Sequence, residues 1–270
     1  MNELALYVDA WSAAADDLLA AAAEITPQQW EAPSDCPGWS ARDVLAHVAA
    51  IECELATGAT PSPLIPIPGR PPAAWWIASG VAQRRGMDPA AIADELREAV
   101  QTRRAQYAAD PPTDPDARPP RTIGNLTWDT RTLLRNRVVD MWVHDQDIRR
   151  AVGLPPTLDT PGADVVALTF AAGMPYVIGR KVAPPTGTCV RVVIDDTSSA
   201  YVIDADGRCV RAESDEARHP VVTLTMNRAA LTLLGAGRRT YATLPPDAVA
   251  TIEGERELGI RILDSMSLTP

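Results

Sequence analysis

Apolar residues in the first part of the chain recur at the three- and four-residue spacing of a helix in four separate segments. These segments are residues 2–24, 40–57, 88–109 and 127–152. Proline-rich stretches such as GATPSPLIPIPGRPP (58–72) separate them and predict surface loops, because proline disrupts helix interiors and central strands. Four long helices joined by loops indicate a helical bundle over roughly the first 155 residues.

The predicted helices carry recognisable capping residues. Ser40, with Asp43 three positions later, is a variant of the capping box in which the shorter aspartate replaces glutamate. Asp88 precedes Pro89, and proline is tolerated at the first helical position. Gly153 follows the last predicted helix, where glycine often ends helices in the left-handed conformation. These residues set the predicted boundaries.

The pattern changes after Pro161. One further helix fits residues 161–180, and the chain then alternates short β-branched runs with turns and two more helices. The predicted strands are CVRVVID (189–195), AYVIDA (200–205), RCVRAE (208–213), VVTLTM (221–226) and DAVATIEG (247–254), and the helices are NRAALTLLG (227–235) and ERELGIRILDSM (255–266). The predicted fold class is α plus α+β, with a four-helix domain over residues 1–156 and a small α+β domain over residues 157–270.

Composition favours a soluble globular protein. Apolar residues make up 46% of the chain, and no apolar run approaches the length of about 18 residues that a membrane span needs. The first residues contain Glu3 and Asp9 and no basic cluster, which argues against a secretory signal and predicts a cytoplasmic location. The four cysteines have no CxxC spacing, so we expect free thiols.

The net charge of −10 disfavours nucleic acid and anionic membrane surfaces as partners, because both attract clustered basic residues.

Two of the three histidines lie on predicted bundle helices. Asp140 and His144 are four residues apart and share one helix face, on the flank of an apolar stripe, and His47 lies on the flank of the second helix. A bundle can hold a metal between such helices, and two nitrogens with one oxygen suit Zn²⁺ or non-haem Fe²⁺. The alternative is that these histidines are ordinary amphipathic-helix residues with local hydrogen bonds. Spacing alone leaves both interpretations open.

Neighbouring charges have expected roles in either case. Asp43 and Glu54 are predicted to flank His47 and orient it. Asp147 either orients a ligand histidine or faces water, and Arg137 is one turn from Asp140 and could pair with it.

CPGWSARDVLAHVAAIE (36–52) and RVVDMWVHDQDIRRAVG (137–153) resemble the two signature helices of the mycothiol-dependent maleylpyruvate isomerase family. LTLLGAGRR (231–239) and EGERELGIRILDSMSLTP (253–270) resemble its tail, so the resemblance covers nearly the whole chain. It implies a DinB-like four-helix bundle followed by a sterol-carrier-like α+β domain.

Carried over residue by residue, the resemblance implies that His47 and His144 are the first and last ligands of a divalent metal. The family's carboxylate ligand, commonly glutamate, falls on Asp140, which is one methylene shorter, so either the helices approach more closely or the metal binds more weakly. The expected metal is Zn²⁺, with Fe²⁺ or Ni²⁺ as alternatives. Arg238 in GAGRR matches the family's Gly-Arg pair and is the predicted catalytic residue, with a solvated loop arginine as the alternative.

The sequence contains no serine, cysteine or lysine motif that marks a protein nucleophile. The resemblance implies an external one, the thiol of mycothiol, which a divalent cation would deprotonate for addition to a small electrophile. The predicted function is therefore a metal-dependent isomerase or S-transferase. Two rivals are a metal hydrolase that activates water at the same site and a metal-free module that binds an apolar ligand in its second domain.

Overall fold

The computed structural model describes residues 2–69, 72–212 and 219–269. The chain divides into two compact units, Met1–Val165 and Val166–Pro270. The boundary between the two units lies inside the helix Pro161–Ala172. The predicted domain boundary, after residue 156, lies in the loop before that helix.

The regular secondary structure of the first unit's described residues is helical, apart from one isolated β-bridge between Pro33 and Ser40. Its helices are α1 (Glu3–Glu24), α2 (Ala41–Thr57), α3 (Pro72–Arg84), α4 (Pro89–Ala109) and α5 (Thr130–Val152), with short 3₁₀ turns at Gln29–Glu31 and Ile123–Asn125. The four predicted long helices are confirmed. Helix α3 was not predicted, because it follows the proline-rich segment directly. It packs closely on α2, since a Cβ on Gly80 would lie 2.8 Å from the Cβ of Ala50.

The predicted caps are present. Ser40 and Asp43 form both halves of the capping box of α2: the Ser40 hydroxyl accepts from the Asp43 N–H, and the Asp43 carboxylate accepts from the Ser40 N–H. Asp88 caps α4 immediately before Pro89, and Gly153 ends α5 with a φ of 77°. Local sequence chemistry therefore sets where the helices that carry the candidate site begin and end.

Helix α5 is the central helix of the first unit. From residue 137 to residue 149 every side chain is buried except Asp140, which is half-buried. The sequence predicts an apolar stripe with Asp140 and His144 on its flank, but in the structure the burial extends well beyond that stripe and leaves only Asp140 partly exposed. Buried charged residues of α5 therefore require buried partners.

The second unit is α+β, which confirms the predicted fold class. Helix α6 (Pro161–Ala172) runs into it and continues as a short α7 (Met174–Tyr176) and a π-helical turn (Val177–Val182). The strands are β1 (Cys189–Ile194), β2 (Thr197–Ile203), β3 (Cys209–Arg211), β4 (Val222–Met226) and β5 (Ala250–Gly254), and the helices are α8 (Arg228–Gly235) and α9 (Arg256–Asp264). All predicted strands are present, although Glu213, at the end of the third, lies outside the described residues.

The five strands form one mixed sheet in the order β3-β2-β1-β4-β5. Only the central pair, β1 and β4, is parallel among the described strands, with Val190 opposite Val222. Helix α9 packs closely against this sheet, because a Cβ on Gly259 would lie 2.5 Å from a methyl carbon of Ile252. The short helix α8, which follows β4, completes the unit.

One stretch of the described chain, Pro161–Val182, is long and apolar enough to cross a membrane by length and composition. The prediction that no such run exists is therefore wrong. Half of its most apolar window is buried. Core helices of globular proteins share these properties, so the stretch is weak evidence for a membrane span.

We predict that Ser40→Ala lowers the free energy of unfolding by about 1 kcal/mol, because it removes the acceptor for the Asp43 N–H at the start of α2. Urea unfolding followed by circular dichroism measures the change. Ser40→Asp is the matched control, since its carboxylate can still accept that bond and should retain most of the stability. Equal losses in both variants would contradict a capping role.

Candidate metal centre

The structure brings the three predicted ligands together. His47 projects from α2, and Asp140 and His144 project from α5. The Nε2 atoms of His47 and His144 lie 3.3 Å and 3.6 Å from Oδ1 of Asp140. The two imidazole rings are edge to face, with centroids 4.8 Å apart. One donor atom from each residue lies within 4.8 Å of the others.

The helical frame explains this convergence. Asp140 and His144 are one turn apart on α5, so their side chains stack along one face. His47 lies mid-helix in α2 between small and aliphatic residues that are buried against neighbouring helices. Although aspartate is shorter than the expected glutamate, its Oδ1 reaches both imidazoles.

The second nitrogen of His144 has its own partner. Nδ1 lies 3.0 Å from Oδ2 of Asp147, a fully buried carboxylate whose other oxygen accepts from Arg150 at 2.6 Å. The Cys36 thiol also donates to Asp147 Oδ2, at 3.3 Å. Because Asp147 accepts from Nδ1–H, it fixes the ring and directs Nε2 toward Asp140. Of the two predicted roles for Asp147, the structure shows contact with the histidine.

The protonation states differ between the two histidines. Burial alone would lower the pKa of His144, but the charge of Asp140 and the bond to Asp147 raise it to about 10. Burial lowers the pKa of His47, and Asp140 offsets only part of that effect. Burial would raise the pKa of Asp140, but Arg137 and both histidines hold it well below its usual range. A cation at this position would therefore replace a proton on His144.

The remaining oxygen of Asp140 is also bound. Nη2 of Arg137 donates to Oδ2 at 3.0 Å, so the predicted ion pair is present. Oδ1 is left facing the two imidazoles. The pairing with Arg137 and the approach to the histidines thus involve different oxygens of one carboxylate.

Trp39 borders the cluster on one side. Its ring centroid lies 5.1 Å from that of His47 and 6.5 Å from that of His144. The same indole lines a cavity of about 350 Å³ together with Arg42, Asp43 and Arg85. A larger cavity of about 660 Å³, near the ends of α1 and α4, shares Arg42. None of the predicted ligands lines either cavity, but the smaller one adjoins both histidines through Trp39 and is therefore the better candidate for small-molecule access.

Comparison with known proteins agrees with this geometry. Residues 11–149, which include all three predicted ligands, match the family model "Mycothiol maleylpyruvate isomerase N-terminal domain". The chain belongs to this family. The sequence matches no curated protein.

Two solved structures resemble the fold of this family member. The crystal structure of the mycothiol-dependent maleylpyruvate isomerase aligns with a TM-score of 0.57 and 16% identity, over 91% of this chain and 96% of that one. A histidine-to-alanine mutant of that enzyme aligns over the same shares with a TM-score of 0.55 and 16% identity. At this identity the likeness establishes the fold alone.

Two expected neighbours of His47 have other contacts. Asp43 accepts from the Ser40 N–H at 3.3 Å and from Arg85 at 3.3 Å, and Glu54 accepts from the backbone N–H of Gly124. Among the described residues, Nδ1 of His47 is buried without a hydrogen-bond partner. The prediction that Asp43 and Glu54 orient His47 is therefore wrong, because a shared helix face gives direction but not distance.

Sequence reasoning missed several residues that lie beside the candidate ligands or beside Arg137. Cys36 forms a second buried group of possible metal ligands with His144 and Asp147, through the Nδ1 side of the ring. Trp39 contacts both histidines, and Glu52 binds Arg137. All three missed residues lie in the CPGWSARDVLAHVAAIE segment, so their proximity to His47 along the chain was the available signal.

Arg238, the predicted catalytic residue, lies in the second unit, after α8. Its Nη1 donates to the carbonyl of Ala236 at 2.8 Å, and it lines a cavity of about 260 Å³ with Arg239, Thr240 and Asp264. It is therefore part of a polar pocket within its own unit. Its catalytic role stays a prediction.

Glu54 leads to a pH prediction that does not involve the metal. Burial raises its pKa to about 7, and the Gly124 bond opposes this only partly. The pKa of Glu54 is higher in the folded chain than in the unfolded chain, where it is near 4.5. Glu54 therefore contributes its full stabilisation of the fold when the pH is below about 4.5. This contribution is lost as the pH rises through about 7. We expect Glu54→Gln to raise the melting temperature relative to wild type increasingly from pH 5 to pH 8.

Differential scanning fluorimetry across that pH range measures the effect. Glu24→Gln, at an exposed position at the end of α1, serves as the control and should show a difference that does not change with pH. A pH-independent offset in Glu54→Gln would argue against the raised pKa.

Proposed function

We propose that this protein is a metal-dependent enzyme that uses the thiol of mycothiol as a nucleophile on a small electrophilic substrate, as an isomerase or an S-transferase. The observation that carries the proposal is the convergence of His47 Nε2, His144 Nε2 and Asp140 Oδ1 from two helices. The family name and the name of the structural relatives support mycothiol as the thiol. A cytoplasmic location fits this use.

The donor set suits a divalent cation. Two imidazole nitrogens and one carboxylate oxygen are a common protein ligand set for catalytic zinc, with one position left for a small molecule. Ligand atoms each about 2.0–2.1 Å from a tetrahedral zinc lie roughly 3.4 Å apart. The separations of 3.3 Å and 3.6 Å agree with that value. Zn²⁺ is therefore the proposed metal, with Fe²⁺ and Ni²⁺ as alternatives.

Each nearby residue has a task in this proposal. A bound divalent cation would lower the pKa of the mycothiol thiol, so that the nucleophile would be a thiolate near neutral pH. His47, Asp140 and His144 hold the cation. Asp147 orients His144 through Nδ1, and Trp39 packs against both imidazoles. The half-buried Asp140 leaves the site open toward solvent.

We also propose that Arg238 binds an anionic group of the substrate. Support comes from its place in a polar cavity beside Arg239 and Thr240, and from the planar fork that arginine offers to a carboxylate.

The metal proposal is tested by titrating metal-depleted protein with Zn²⁺ in a calorimeter. We expect stoichiometric binding by the wild type and none by His144→Ala, because this variant loses a ligand nitrogen. His219→Ala, which removes an exposed histidine of the second unit, is the matched control and should bind like the wild type. Unchanged circular dichroism would show that the helices persist. Stoichiometric zinc in His144→Ala would refute the ligand assignment.

The choice of thiol is tested by adding mycothiol to the zinc-loaded protein. We expect mycothiol to bind and to be required for isomerisation of maleylpyruvate or for S-transfer to an electrophile. Metal uptake without mycothiol binding would instead favour the hydrolase. No metal uptake at all would favour a metal-free binding module.

We predict that Arg238→Lys raises the KM for an anionic substrate such as maleylpyruvate and leaves zinc affinity unchanged, because lysine keeps the charge but loses the bidentate fork. Steady-state kinetics and zinc titration measure the two quantities. Thr243→Ser, a conservative change in the same cavity, is the control. An unchanged KM in Arg238→Lys would contradict a role in substrate binding.

A further inference from the structure

Glu52 is a completely buried carboxylate in the first unit, and it does not touch the candidate ligands. It lies on α2, five residues after His47, and is 0% exposed. Its Oε1 accepts from the Trp11 indole at 3.1 Å and from Nε and Nη2 of Arg137 at 3.0 Å and 2.9 Å. Its Oε2 accepts from Arg103. These contacts join residues of α1, α2, α4 and α5.

Arg137 connects this carboxylate to the candidate site. Arg137 is 1% exposed, and its Nη2 donates to Glu52 Oε1 at 2.9 Å and to Asp140 Oδ2 at 3.0 Å. Glu52 therefore receives two of the guanidinium donors, and Asp140 receives one. The guanidinium is shared unequally between the two carboxylates.

This sharing decides which oxygens of Asp140 are available. An arginine released from Glu52 could turn its planar fork onto both oxygens of Asp140, the geometry that arginine and carboxylate prefer. Oδ1 would then be occupied by a guanidinium nitrogen rather than directed toward the imidazoles. Glu52 prevents this by holding the Nε edge of Arg137.

We propose that Glu52 and Arg137 are positioning residues for the metal ligand Asp140. Glu52 holds Arg137 so that it binds only Oδ2 of Asp140, and Oδ1 stays free for the cation. The inference rests on the proposed metal site and adds a defined cause for the orientation of its carboxylate.

The electrostatic balance is consistent with a positioning role. Glu52, Arg103, Arg137 and Asp140 carry two negative and two positive charges, so the set is neutral before a cation binds. The positive charge of Arg137 would weaken cation binding, whereas its orienting effect on Asp140 would strengthen it. Because these two effects on cation affinity have opposite signs, substitutions can separate them.

The main test is Arg137→Lys. Lysine keeps the positive charge but cannot span Glu52 and Asp140 with one planar group. We expect the Zn²⁺ dissociation constant to rise about 10- to 100-fold, the usual cost of losing a group that orients a metal ligand. A chelator competition assay measures it. The Co²⁺ absorption spectrum of the metal-loaded protein should also change, because it reports the ligand geometry.

Arg149→Lys is the matched control. Arg149 is a buried arginine on the same helix, paired with Asp145 at 2.8 Å, and Asp145 is not one of the candidate ligands. This variant should lose thermal stability as Arg137→Lys does, with the zinc dissociation constant and the Co²⁺ spectrum unchanged. A structural role for Arg137 would affect both variants alike.

Glu52→Gln supplies the second arm. It should weaken zinc binding in the wild-type background and have little further effect in the Arg137→Lys background, because Glu52 acts through Arg137. Such non-additivity supports the proposal. Fully additive effects overturn it, as does a wild-type dissociation constant in Arg137→Lys.

These results also separate the inference from the proposed function. A wild-type protein that binds no zinc overturns both. A wild-type protein that binds zinc, with an Arg137→Lys variant that binds equally well, overturns the positioning role alone.

Discussion

The organisation of the first unit depends on the burial of one carboxylate. Glu52 is inaccessible to solvent, and an ionised carboxylate in such a place must be paired and fully hydrogen-bonded. Its partners come from three other helices, so satisfying it fixes how those helices are rotated about their axes. Removing one partner from such a group costs roughly 3–5 kcal/mol, whereas the intact pair adds little net stability over an apolar core. The cluster is therefore better understood as a determinant of helix orientation than as a source of stability.

The orientation of α5 has a chemical consequence. Between residues 137 and 149 every side chain of the helix is buried except that of the half-buried Asp140, yet this stretch carries Arg137, Asp140, Asp145 and Asp147. Each of these charges has a buried or half-buried partner of opposite sign. Asp140 and His144 lie between two such pairings, with Arg137 on one side and Asp147 on the other. The side chains of Asp140 and His144, which would otherwise move independently, are thus held close together by groups that contact them away from the candidate cation position.

Sequence reasoning predicted the fold well where the signal was local. Ser40, Pro89 and Gly153 act within one helical turn, so the helix ends that they set agree with the structure. Helix α3 was missed because its signal competes with the preceding prolines, and its place depends on contact with α2.

The candidate site depended on contacts between distant residues, and there the sequence predicted less. The i, i+4 pair of Asp140 and His144 is a local signal, and its approach to His47 was predicted correctly with help from the family resemblance. The contacts of Glu54 were predicted wrongly, and the role of Glu52 was not predicted. Helical angles placed Glu54 beside His47, but they contain no information on which neighbouring helix meets each residue. Glu52, which binds Arg137 across the bundle, could not be recognised from periodicity alone.

The two sides of His144 present different environments, and this difference indicates where the proposed catalytic cation would fit. On the Nδ1 side, Cys36 and Asp147 are buried, and Asp147 already neutralises Arg150. A cation there would have little room for a further ligand, as in closed structural sites. On the Nε2 side, the Asp140 side chain is 24% exposed, and His47 supplies a second nitrogen with a depressed pKa. A catalytic cation needs an open position for its small-molecule ligand, so the Nε2 side meets that requirement and the Nδ1 side serves to orient the ring.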